Sequence, residues 1–188
     1  MIKINEDERR DFFRIDDDVY LDLQTISEDE YQLAPATLES LSDSSFSLSA
    51  NFATLNNSIN PILNNIKQLH PDIGEFLEMV NNKIDNLSQH LLQANSNYDE
   101  SKIIKANLSA SGIQFESQIA VSAQQAVKLE LILLPEKIGL LIFGRVVDTK
   151  NDLISIEFEF LRPEDQELMI KHNLNKQMEE LREKNDFI

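Results

Sequence analysis

The chain has 188 residues, 41 % of them hydrophobic and 27 % charged, with a formal net charge of −16 at pH 7. That length suits one good-sized domain, or a small domain carrying an insertion, and the composition is ordinary for a globular protein. A field of this sign repels nucleic-acid backbones and anionic membrane surfaces, and the lack of cysteine excludes disulfides and thiolate metal sites.

The N-terminal stretch MIKINEDERR has no apolar core of the kind that directs secretion. No apolar run approaches the ~20 residues needed to span a bilayer. A cytoplasmic protein without membrane insertion and without DNA or RNA as partner is therefore expected. With only four glycines and no tryptophan, a glycine-rich nucleotide fold is not expected.

In chain order, the first regular segment is DVYLDLQTI. Val19, Leu21 and Leu23 alternate with Tyr20, Asp22 and Gln24, which predicts a half-buried strand. SEDEYQLAP ends it at Pro35.

From Ala36 to Asn95 the pattern is helical. Apolar residues recur at Leu55, Ile59, Ile62, Ile66, Leu69, Ile73, Leu77, Val80, Ile84, Leu87 and Leu91, in steps of four and three. This is heptad spacing. Two steps of four meet at Leu69, Ile73 and Leu77, where Pro71 and Gly74 also sit, so a break or kink is expected there. Pro61 is read as a possible start of a further segment, giving one shorter helix or a pair up to Leu69 and a long helix from Pro71 to Gln93.

Strand patterns return in SKIIKANL, GIQFES, AVKLELILL, KIGLLIFGRVVD and LISIEFEF, with TKND as a hairpin turn between the last two. From Pro163 an amphipathic helix follows, carrying Leu168, Ile170, Leu174, Met178 and Leu181. One early strand cannot bury its apolar face alone. Residues 1–35 and 96–188 are thus expected to form one discontinuous β-barrel domain with a C-terminal helix, and residues 36–95 a helical insertion. The fold class is α+β.

Two constellations carry chemistry. Arg10 and Arg14 stand four apart with Arg9 beside them, scarce positive charge in an acidic chain. A guanidinium suits phosphate oxygens, the O6/N7 edge of guanine and the flat face of a purine. The same arginines could equally balance Glu6, Asp7, Glu8 and Asp16 to Asp18 in weak surface pairs. The second constellation is NLSASG, Asn107 to Gly112, at a predicted β-turn. Asn107 and Ser109 lie two apart and face one way on a strand, and Gly112 offers a positive φ or close approach of a ligand. Taken alone it is an ordinary turn.

Together, Arg10-Asp11-Phe12-Phe13-Arg14 before a first strand and Asn107-Leu108-Ser109-Ala110-Ser111-Gly112 at a later turn resemble the R-x-x-x-R and [D/N]-x-S-x-x-G motifs of the PilZ family. FGRVVD, Phe143 to Asp148, resembles that family's glycine-containing later strand. The resemblance implies a six-stranded antiparallel PilZ-type β-barrel that binds cyclic di-GMP, with a long helical insertion after the first strand and a C-terminal helix. It implies that Arg9, Arg10, Arg14, Asn107, Ser109 and Gly112 form the ligand site. The arginine segment would clamp the dinucleotide against the Asn/Ser turn.

The insertion departs from the common pattern and is similar to that of a PilZ subgroup whose long helices associate, which implies a homo-oligomer, a tetramer favoured. The heptads could pack on the barrel or on other subunits. A helix from Pro71 to Gln93 would be ~35 Å long, longer than one face of so small a barrel, and this favours self-association.

His70, His90 and His172 are scattered without metal-ligand spacing, and neither a nucleophile motif nor a phosphate-binding loop is present. The expectation is a non-enzymatic receptor without metal or cofactor. The alternative is a ligand-independent PilZ-like scaffold oligomerised by a helical bundle.

Overall fold

The computed structural model describes residues 2–3, 13–40, 45–95, 99–150 and 152–186. Its strands are β1 (Ile2–Lys3), β2 (Ile15–Thr25), β3 (Ile103–Ser109), β4 (Gly112–Glu116), β5 (Ala126–Leu133), β6 (Ile138–Lys150) and β7 (Leu153–Leu161). Its helices are α1 (Glu28–Gln32), α2 (Ala34–Ser40), α3 (Ser45–Leu69), α4 (Pro71–Asn95) and α5 (Pro163–Asp186).

The strands pair antiparallel in the order β7-β4-β3-β2-β5-β6, and β6 returns to β7, so six strands close into a barrel. The two-residue β1 extends the sheet at the far end of β7, with Ile2 opposite Leu161.

Closure explains why β2 must come from far away in sequence. β2 pairs with β3 on one side, Asp16 opposite Asn107, and with β5 on the other, Leu21 opposite Leu131. The interior is filled by alternate side chains of every strand. Val19, Leu108, Leu129, Leu131, Leu133, Leu140, Ile142, Val146 and Phe158 are all 0 % exposed. At roughly 1.5–3 kcal/mol for each large side chain, this burial is the main favourable term.

Tyr20 departs from the half-buried expectation. It lies on the outer face of β2 yet is fully buried, packed with Ile132 and flanked by Ile103 and Leu134. On the outside of the β5–β6 edge, Tyr31 of α1 and Ala34 and Leu38 of α2 cover Ala126, Leu141 and Phe143. The chain turns into α1 through a capping box: Glu30 N–H donates to Ser27 Oγ at 3.2 Å, and Ser27 N–H donates to the Glu30 carboxylate at 2.9 Å.

The two long helices correct the sequence-based reading. α3 runs 25 residues without a break, as long as α4, with Pro61 inside it. The carbonyl that Pro61 leaves without its N–H partner belongs to Asn57, and both residues are exposed, so water can serve it. The break falls at His70 alone. Pro71 occupies the first turn of α4, where its missing N–H is harmless. Gly74 is helical: a Cβ there would meet the Lys67 backbone at 2.7 Å, so the glycine lets α4 approach α3 closely at the hairpin tip.

The hairpin is anchored at its base. Ala50 and Ala53 of α3 pack on the barrel core, and Ser49 Oγ accepts the Gly139 N–H at 3.0 Å. α5 docks its first half, with Leu168 and Met169 buried, and leaves Leu174, Met178 and Leu181 exposed.

Candidate functional site

β2 and β3 bring the two sequence constellations together. Asp16 sits opposite Asn107, and strand alternation puts Arg14 on the same face as Asp16. The Arg14 guanidinium donates from Nη1 to Asn107 Oδ1 at 3.2 Å, and Asn107 Nδ2 donates to Asp16 Oδ1 at 2.7 Å. Arg14 and Asp16 are exposed and Asn107 is half-buried, so the trio opens to solvent.

This surface offers a planar forked donor, an amide and a carboxylate within one cross-strand neighbourhood. Such groups can hold a phosphate, or a guanine edge that presents both acceptors and donors. Arg9 and Arg10 lie outside the described residues.

Ser109 shares the Asn107 face of β3, and Gly112 opens β4 across the turn, but neither is open to solvent as Asn107 is. Ser109 is buried; its Oγ donates to Gly112 O at 3.2 Å and accepts the Ser111 N–H at 3.3 Å. Its hydroxyl braces the β3–β4 turn. Gly112 has no positive φ, contrary to one of the two reasons offered for it. A Cβ there would sit 2.7 Å from the Ile156 carbonyl, so the close approach is that of β7. Gly144 in the FGRVVD strand serves the same end, since its Cβ would fall 2.2 Å from Glu157 O.

Two charged clusters beside the site were not legible in the sequence. Asp17, the next residue along β2, points the other way, towards α5. There its Oδ2 meets His172 Nε2 at 2.7 Å and its Oδ1 meets Lys176 Nζ at 2.9 Å. Burial alone would raise the Asp17 carboxyl, but hydrogen bonds and charge from His172 and Lys176 outweigh it and hold the group below its ordinary value. Consecutive aspartates thus serve opposite faces, Asp16 the open surface and Asp17 the helix clasp. His172 is a clasp residue, 155 positions away from its partner.

The second cluster centres on Arg145 of β6. It lies 4.3 Å over the Tyr31 ring and pairs with Glu28 and Glu159, tying α1 to the barrel. Burial and Glu159 push the Tyr31 phenol well above its usual range.

Residues 86–174 match the PilZ domain family. The chain carries a PilZ domain. The matched stretch spans β3 to β7, and the sixth strand of the PilZ barrel, β2, with Arg14 before it, is supplied from outside that stretch.

Among solved structures, the fold is similar to that of a pathogenic protein from Xanthomonas campestris, a tetrameric PilZ domain self-assembled through a helical bundle. The TM-score is 0.55 at 12 % identity, covering 91 % of each chain. A Bacillus subtilis inhibitor of motility, MotI/DgrA, overlaps 41 % of this chain and 42 % of its own, with a TM-score of 0.35 at 17 % identity. No curated protein is similar to the chain by sequence. Among the described residues, no helix is long and apolar enough to cross a membrane.

Proposed function

We propose that this PilZ-domain chain is a non-enzymatic receptor for cyclic di-GMP, and that the ligand acts by ordering the segment bearing Arg9, Arg10 and Arg14 against β3. The observation that carries the reading is the 3.2 Å contact between Arg14 and Asn107, residues 93 apart in sequence and one from each motif. Arg14 and Asn107 would exchange their mutual bond for ligand phosphate and guanine atoms, Ser109 and Gly112 would hold the turn that presents Asn107, and Arg9 and Arg10 would close the site.

Calorimetry with cyclic di-GMP tests this. Arg14→Ala should weaken binding roughly 10- to 150-fold, the equivalent of about 1.5–3 kcal/mol for a charge-assisted contact. Equal binding by wild type and Arg14→Ala would end the receptor reading.

The helical hairpin is proposed to join copies of the chain, a tetramer favoured. α3 and α4 line one apolar groove of about 200 Å³ with Ile59, Ile62 and Ile66 facing Leu77, Val80 and Ile84. The Xanthomonas protein, similar over most of its length, assembles through a helical bundle. Light scattering on the intact chain measures the stoichiometry, and a monomer at micromolar concentration would refute it.

A ligand-independent scaffold is the second reading. It is favoured by the Asp16 carboxylate at 2.7 Å from Asn107, which would repel a phosphate, and by the inward-turned Ser109 hydroxyl. A melting temperature unmoved by excess cyclic di-GMP would select it, since a ligand bound only by the folded state must raise that temperature.

A further inference from the structure

The candidate site contains an acidic group that phosphate binding does not explain. Asp16 is exposed, stands opposite Asn107 across the β2–β3 ladder, and accepts from Asn107 Nδ2 through Oδ1 at 2.7 Å. The two aspartates that follow it do other work. Asp17 turns to His172 and Lys176 of α5, and Asp18 lies two residues further along the ladder, opposite Lys105. Asp16 is thus the aspartate of the three that borders Arg14 and Asn107.

We propose, resting on the cyclic di-GMP reading, that Asp16 selects guanine by accepting the N1–H and N2 amine donors of the base. Along that edge guanine presents one acceptor, O6, followed by those two donors. A site that reads the edge therefore needs a donor beside a two-oxygen acceptor. Arg14 and Asn107 supply the donors. A carboxamide has a single acceptor oxygen, and Asn107 Oδ1 faces the Arg14 guanidinium at 3.2 Å. The Ser109 hydroxyl is spent within the β3–β4 turn.

Asp16 supplies the missing half. An ionised carboxylate only accepts, at about four lone-pair positions, so it can take both guanine donors and keep its bond from Asn107. That bond also holds the carboxylate beside the donors before the ligand arrives, which leaves less ordering to binding. Adenine carries a lone pair at N1 and no amine at position 2. The carboxylate would face that lone pair with no proton between them, a repulsive contact. The same charge disfavours a phosphate at this spot and leaves the phosphates to the arginines.

Calorimetry on the full chain tests this, comparing wild type with Asp16→Ala. The probes are cyclic di-GMP, cyclic di-AMP and cyclic di-IMP, whose bases keep O6 and N1–H but lack the N2 amine. Wild type should bind cyclic di-GMP about tenfold or more tightly than cyclic di-IMP, the loss expected for a hydrogen bond to a charged group. Cyclic di-AMP should bind more weakly still. In Asp16→Ala the preference for cyclic di-GMP over cyclic di-IMP should shrink to within about twofold. Asp16 is exposed, so the variant should keep the wild-type melting temperature.

An unchanged preference in Asp16→Ala would overturn the proposal, whatever happens to the absolute affinities. Tighter binding of all three would mark Asp16 as a repelling charge, and equal weakening of all three would mark it as a brace for Asn107. Wild type that binds cyclic di-GMP and cyclic di-IMP equally would also overturn it and leave the receptor reading standing. Wild type that binds none of the three would refute the receptor reading itself.

Discussion

In the barrel, Val19, Leu129, Ile142 and Phe158 turn inward and lose all contact with water. In the hairpin, every heptad residue from Leu55 to Leu91 except Ile66 stays 38–67 % exposed. Both patterns obey the period of their element, two for the strands and three-and-a-half for the helices. The difference is geometric. A sheet that closes on itself makes its own interior, whereas two helices side by side can bury only the strip where they touch. A stripe wider than that strip stays exposed in the single chain. The barrel therefore buries its apolar pattern within one chain, and the hairpin leaves most of its stripe exposed.

The sharpest way to break this contrast is to damage the barrel core. Phe158→Ala should cost about 3–5 kcal/mol, read from urea denaturation; a loss below 1 kcal/mol would mean the interior is not the tightly packed unit described. Next comes Gly144→Ala, whose Cβ would collide with the Glu157 carbonyl at 2.2 Å. Backbone cannot step aside as a side-chain tip does, so a loss of about 1–3 kcal/mol is expected from the same measurement.

The α5 clasp gives a smaller, pH-dependent effect. The Asp17 carboxyl is held below its ordinary 3.8. Its contribution is present above that value and lost as the pH falls through the lower, folded-state value. As the pH falls below about 4 the wild type should lose more stability than Asp17→Asn, and parallel curves for the two proteins would remove Asp17 from the account. Smallest of all should be Ile62→Ser/Leu87→Ser. These exposed positions should change the stability of the single chain by no more than about 0.5 kcal/mol, while light scattering reports loss of assembly. A large drop in melting temperature at a concentration where the wild type is already monomeric would show that the stripe serves the chain itself.

Much of the fold was legible because it rests on local rules. Alternation in LISIEFEF, the turn chemistry of TKND and the heptads from Leu55 to Leu91 name their elements, and Asp152 adopts the left-handed conformation the TKND turn needs, at φ 63°. Pro61 misled because a proline inside a helix weakens it without having to end it, and at this exposed position water can serve the carbonyl left without a donor. Tyr20 misled because alternation says which way a side chain points and nothing about what covers it. In the candidate site, Arg14 and Asn107 were marked by residue type and motif. Asp16 was read only as surface charge, and the Asp17–His172 clasp was invisible, since 155 residues separate the two and neither belongs to a recognisable spacing.

By itself the sequence determined the periods, the acidic field and the two motifs that resemble the PilZ family, because each can be read off the chain without knowing its path. Only the tertiary structure decided that β2 lies between β3 and β5, that Arg14 reaches Asn107, that Ser109 turns into its own turn and that the heptad stripe is left uncovered. Those outcomes depend on which distant strands close the barrel and how far two helices can wrap one another, and no local pattern encodes a distance across the fold.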